Sequence, residues 1–211
     1  MHADDASNLH ALTVLRKLGT EPFHAARQVL PFTLLDFWRW CSSDLTNNAM
    51  RGVVAEYLVA CDLGLADGIR VEWDAYDLKT QEGIKVEVKS AAYLQSWHQE
   101  KLSAISFGIQ PTIGWNASTN EYSTERRRQA DVYVFALLHH QDKTTLDPLN
   151  VDQWEFYLLP TSVLDDKVAT QKQIGFVTLL RLTPTKVRFG EIATAIEHLF
   201  LSSDNHRGSA I

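Results

Sequence analysis

Apolar and polar positions alternate with a period of two along residues 71–90, where two strands are expected. Val71, Trp73, Ala75 and Asp77 share one face of the first strand. On the second, Ile84, Val86 and Val88 share one face and Lys85, Glu87 and Lys89 the other. The turn between them, Lys79 to Gly83, ends in a glycine. A five-residue turn pairs Leu78 with Ile84 and sets Ala75 opposite Glu87. Asp77, Glu87 and Lys89 then project from one face, with the two acids diagonal neighbours roughly 7–8 Å apart at the backbone. The face that is apolar through Val71 and Trp73 thus becomes charged on the next strand. Such a break of local pattern is expected at a functional site. Asp74 is the rival for the first acid, but its parity places it with Glu72 on the opposite face.

Elsewhere the pattern predicts helices first and strands later. Residues 10–17 read as weakly helical. Pro31-Phe32-Thr33 opens a stronger helix, with Thr33 as N-cap and Asp36 three residues on. Leu34, Leu35, Phe37, Trp38 and Trp40 are too many apolar groups for one exposed stripe. That helix is expected to pack closely, as a lid or a partner surface. Asn47 or Asn48 caps the next helix and Gly64 ends it. Residues 52–61 are apolar almost all round, so this helix should be buried. Glu56 lies within it. A buried carboxylate needs a paired charge, hydrogen bonds or a metal; Arg51 and a bare helix edge are the alternatives to a functional role.

Residues 91–102, with Gln95, are amphipathic or irregular, and 105–109 form a short strand. A polar loop is expected over 116–124. Glu125 to Arg128 follow as the one dense basic cluster. Ala130 to Leu138 is nearly continuous apolar chain, as in a central strand. His139 and His140 read as exposed loop. Trp154 to Leu159 is a further strand, Thr161 or Ser162 caps a short helix, Ile174 to Leu182 is a strand, and Gly190 to Leu201 is an amphipathic helix. The expected architecture is one α/β or α+β domain with a mixed sheet flanked by helices. It divides into an N-terminal helical extension (1–46), a core (47–201) and a mobile tail (202–211).

Composition narrows the partners. A net charge of −6 argues against broad attachment to nucleic acid or an anionic membrane, though not against a local basic groove. No apolar run is long enough to span a membrane, and the start lacks a signal-peptide pattern. Cys41 and Cys61 form no CxxC pair and are expected to be buried thiols in a reducing, cytoplasmic setting. Glycine-rich phosphate loops, a Gly-x-Ser-x-Gly elbow and His-Glu-x-x-His are absent, as are helix-turn-helix and zinc-finger spacings.

Two carboxylates a few ångströms apart repel, and a hard divalent cation satisfies both. A lysine pointing the same way can hold or activate a water. The arginines at 126, 127 and 128 either grip phosphates or form a solvated salt-bridge cluster.

A helix bearing Glu56, then Asp77, then Glu87-Val88-Lys89 resembles the core of the PD-(D/E)xK, or restriction-endonuclease-like, nuclease superfamily. The resemblance covers roughly residues 47 to 138; Tyr76 stands where the motif has proline. It implies that Asp77 and Glu87 bind metal, with the Val88 carbonyl as a further ligand. Lys89 would position or activate the attacking water. Glu56 would support the site or a second metal. The implied reaction is Mg²⁺-dependent hydrolysis of a phosphodiester, with Mn²⁺ as substitute. Ser90 and Gln95 are auxiliary polar candidates. DNA is the expected partner and RNA the alternative. Specificity is expected from loops such as 95–124, and a homodimer from the aromatic helix at 33–40. Two other classes remain: a non-catalytic module of the same fold that binds nucleic acid or protein, and an unrelated metal-free α/β protein.

Overall fold

The computed structural model of the chain describes residues 12–71, 75–116 and 121–204. Trp73, Glu72 and the rival acid Asp74 lie outside the described residues, as does the end of the chain from 205. The chain begins with an antiparallel ribbon, β1 (Pro22–Ala25) and β2 (Gln28–Thr33), then helices α1 (Leu34–Ser42) and α2 (Asn48–Asp62). Next come β3 (Leu78–Lys79), β4 (Lys85–Ala92), β5 (Ser106–Gly108), β6 (Thr112–Asn116), β7 (Glu121–Arg127) and β8 (Val132–Leu138). A 3₁₀ turn leads into β9 (Trp154–Pro160), followed by α3 (Thr161–Val168), β10 (Gln173–Gly175), α4 (Phe176–Arg181), β11 (Thr185–Val187) and α5 (Ile192–Asp204).

The central sheet has five strands in the order β11-β9-β8-β4-β3. β4 and β8 run parallel and the other neighbours antiparallel, so the sheet is mixed and flanked by helices, as expected. Every residue of β8 is buried, because both faces of the sheet are covered. On one face Val86, Val88, Val134 and Ala136 pack with Ala55 and Val59 of α2 and Ile192 and Ile196 of α5. On the other, Tyr133, Phe135 and Tyr157 pack with Phe107, Leu164, Ile174 and Leu179.

Several expectations need correction. The first strand of the hairpin shrinks to Leu78 and Lys79, and its register pairs Leu78 with Val86 rather than with Ile84. The slip is two residues, so each side chain keeps its face. Residues 12–17 are not helical, and the N-terminal part carries the β1–β2 ribbon before its first helix. Thr33 does cap α1 through a capping box with Asp36, but no α1 residue is buried, and Trp40 is 84% exposed. The expected loop over 116–124 belongs to the β6–β7 ribbon, with residues 117–120 outside the described residues. The expected strand over 174–182 is a three-residue strand and then α4: Phe176, Leu179 and Leu182 recur every third residue, which suits a helix face. Pro160, not Thr161 or Ser162, occupies the N-cap of α3. Cys41 is exposed rather than buried, and both thiols are free.

The ends of α2 and α5 are tied together by one side chain. Asp62, last residue of α2, accepts hydrogen bonds from the backbone N–H groups of Gly190, Ile192 and Ala193 at the start of α5. A carboxylate there satisfies orphan donors and faces the positive end of the helix dipole. Asp62→Ala should therefore cost about 1–2 kcal/mol in urea unfolding. A loss below about 0.3 kcal/mol would refute this capping role.

Candidate functional site

β4 places its even residues in the α2-facing core and its odd residues, Glu87 and Lys89, on the opposite face. Neither charged group reaches full solvent there: the Glu87 side chain is 17% exposed and that of Lys89 33%. They form an ion pair at 2.5 Å. Tyr133, opposite Glu87 in the β4–β8 register, is buried on the same side.

Asp77 closes the edge. Extending the β3–β4 register by one residue sets it directly opposite Glu87, closer than the expected diagonal. Its backbone N–H donates to the Val86 carbonyl at 3.1 Å, and its Oδ2 accepts from the Val88 N–H at 2.7 Å. The carboxylate thus stands in for the strand that stops at Leu78. In a strand the N–H and C=O of one residue leave on the same side. The Val88 carbonyl therefore leaves toward Asp77, away from β8.

Glu56 approaches from α2. It is buried and accepts from Arg70 Nε at 2.9 Å, so its partner is Arg70 and not Arg51. Arg51 turns instead to Asn48, the Thr46 carbonyl and Gln95. Gln95, expected as auxiliary, is buried and engaged with Arg51, the Ala92 carbonyl and Ser103. Ser90 is half-buried on β4.

The four groups feel one another. Burial pushes the Glu87 carboxyl above its usual range; Lys89 opposes this, while Asp77 and Glu56 add to it. Glu56 is raised for the same reason, burial, with the Arg70 hydrogen bond opposing and Asp77 adding. Burial acts to lower the Lys89 ammonium, but Glu87, Asp77 and Glu56 outweigh it and hold its pKa above the ordinary lysine value. The Tyr133 hydroxyl is pushed up by burial and by the charge of Glu87.

Two clefts meet at this edge. Glu87, Lys89 and Tyr133 line one of about 560 Å³, with Gln110, Gln129 and Lys172 on its far wall. Glu56 and Asp77 line another of about 510 Å³, with Arg70 and Tyr76. Gln110, Gln129, Tyr133 and Lys172 were not foreseen. They are distant in sequence from the acidic motif, and only the β5–β10 pairing and the β4–β8 register bring them to it.

The donor chemistry fits a hard divalent cation: carboxylate oxygens, one strand-edge carbonyl, crowding and burial. Among the described residues no three His, Cys, Asp or Glu side chains already form a metal-holding group. Each acid is engaged, Asp77 with a backbone N–H, Glu87 with Lys89 and Glu56 with Arg70. His139 and His140 lie apart, bonded to the Asp152 carbonyl and to Thr145.

The arginine cluster divides. Arg126 and Arg127 are exposed on β7, and Arg127 donates to Gln129. Arg128 is not available to phosphate: its side chain is 1% exposed and pairs with Asp165. It also donates to the carbonyls of Ile109 and Val168. This corrects its expected nucleic-acid contact, since a buried guanidinium already engaged with protein carbonyls has no donor fork to offer a ligand.

An edge that gathers carboxylates and an ammonium beside a polar cleft suits hydrolysis of a phosphate ester. The sequence profile of the family described as bacteriophage T4 endonuclease IV matches residues 39–174, and the chain belongs to that family. The matched span contains Glu56, Asp77, Glu87 and Lys89. Comparison with curated proteins gave no match. The family is one of endonucleases by its description, which makes a nuclease the class of this chain. Among the described residues no helix is long and apolar enough to cross a membrane.

Arg128→Ala should cost about 3 kcal/mol, because it leaves the buried carbonyls of Ile109 and Val168 without their donor and Asp165 without its cation. Arg126→Ala and Arg127→Ala, both exposed, should stay within about 0.5 kcal/mol of wild type. Equal losses for all three in urea unfolding would contradict this division.

Proposed function

We propose that the chain is a metal-dependent DNA endonuclease of the PD-(D/E)xK type. The observation that carries the proposal is the shared edge. Asp77 lies opposite Glu87, and Lys89 is the next residue on the same face of β4, where it pairs with Glu87. Asp77 and Glu87 would hold Mg²⁺ or Mn²⁺, with the Val88 carbonyl and Glu56 beside them. When bound, the ion supplies positive charge to the phosphate oxygens and lowers the pKa of a coordinated water.

The protein's own groups account for the remaining requirements. Lys89 is held protonated by the three carboxylates. As an ammonium it orients a water or a phosphate oxygen and cannot take a proton. A cation held by the carboxylates would offset the charges that favour the Lys89 ammonium and leave burial opposing it. Asp77 supports the edge through the Val88 N–H, so its carboxylate has one oxygen engaged and one left for a ligand. Tyr133, buried opposite Glu87, lines the same cleft.

One observation favours a non-catalytic nucleic-acid-binding module instead: each acid already has a protein partner, and no three-acid cluster is assembled among the described residues. Cleavage assays separate the two. With Mg²⁺ present, the wild-type chain should cut DNA, and Glu87→Gln and Lys89→Met should each lower kcat by roughly 10²–10⁴-fold with unchanged circular dichroism. Chelation with EDTA should abolish cleavage. Activity that survives EDTA, or survives Glu87→Gln, would sink the proposal.

A further inference from the structure

The far wall of the cleft carries a cation that the proposed chemistry does not use. Lys172 lines the same cleft as Glu87 and Lys89. It stands just before β10 in a wall made by two chain segments, 108–110 and 171–173. These are joined by the Gly108–Gln173 register pair and by the Ile109 N–H bond to the Lys172 carbonyl at 2.9 Å. Arg128 pins the wall from beneath. Its guanidinium donates to the carbonyl of Ile109 on one segment and to those of Val168 and Gln171 leading into the other. The buried arginine thus fixes the backbone from which Lys172 projects.

The neighbouring cations are already engaged. Lys89 pairs with Glu87, Arg70 with Glu56 and Arg128 with Asp165, while Arg127 bonds Gln129. Among the described residues no carboxylate lies within ion-pair distance of Lys172, and its side chain is exposed to the cleft. A polyanion entering here meets the Glu87 carboxylate, in a chain of net charge −6. It needs an ammonium on the other side to offset that repulsion.

We infer that Lys172 is a substrate clamp. Its ammonium binds the DNA phosphodiester flanking the one to be cut, from a wall rigidified by Arg128. This rests on the nuclease assignment above for the location of the scissile bond, though not for the contact itself. Lys172 is a positioning residue: it holds the backbone across the cleft and exchanges no proton with the reacting phosphate.

The test measures binding apart from chemistry. A fluorescein-labelled DNA hairpin with a single-stranded tail is titrated with the full chain in EDTA, by anisotropy, over a range of KCl concentrations. Lys172→Ala should weaken binding several-fold and reduce the slope of log K against log salt by about 0.7–0.9, the loss of one phosphate contact. Lys172→Arg should restore most of both. Lys167→Ala, on a lysine paired with Asp166 away from the cleft, should change neither. In Mg²⁺, Lys172→Ala should raise KM and leave kcat within about two-fold, because loss of uniform binding acts on KM. An unchanged slope and affinity in Lys172→Ala would overturn the inference. So would a loss of kcat with binding intact, or failure of the wild type to bind the hairpin. If the wild type binds and shows the slope change but does not cleave, the clamp stands and the endonuclease proposal fails.

Discussion

The parallel pairing of β4 with β8, from Val86–Val132 to Ala92–Leu138, is the constraint on which the rest depends. Strand side chains alternate between faces, so pairing β4 with a fully buried strand forces its odd residues into a second packed layer. Glu87, opposite Tyr133, and Lys89, opposite Phe135, are therefore largely withdrawn from water. A solvent-facing Glu-x-Lys stripe would be electrostatically trivial. Here burial raises both the cost of the charges and the strength with which they act on each other and on a ligand.

The strand edge completes the arrangement. β3 ends after two residues, and Asp77 replaces the missing backbone by taking the Val88 N–H. That one substitution of side chain for strand brings a second carboxylate beside Glu87 and leaves the Val88 carbonyl on the same side. Glu56 adds a third negative group from a helix buried for packing reasons. The result is an excess of carboxylate that Lys89 and Arg70 only partly compensate. Shape follows the same logic, since clefts open on both sides of Asp77, one lined by Glu87 and Lys89, the other by Glu56.

What the sequence made legible was whatever depends on local period. Asp77, Glu87 and Lys89 were placed on one face despite a register wrong by two residues, because a period of two tolerates an even slip. The all-round apolar pattern of α2, the capping box at Thr33 and the apolar run of β8 were equally local signals. The β1–β2 and β6–β7 ribbons carry no clear sequence signal, because their largely exposed strands bury no face and so show no useful alternation. The sequence of α4 reads as strand because a short apolar run fits both periods. Arg128 looked like a phosphate ligand beside two exposed arginines; its burial depends on carbonyls near residues 109 and 168, far away in the chain. The Arg70 partner of Glu56 and the cleft wall at Lys172 are likewise products of tertiary contact.

The central claim is that the crowded carboxylates at the β3–β4 edge form a divalent-cation site. Isothermal titration calorimetry with Mg²⁺ and Mn²⁺ tests it most directly, on wild type and on Asp77→Asn, with phosphorothioate DNA present to supply phosphate oxygens without being cut. Asparagine keeps an oxygen for the Val88 N–H, so the edge persists while the charge is removed. The account predicts binding by the wild type and its loss in Asp77→Asn. Absence of binding by the wild type, or equal binding by both chains, would contradict it.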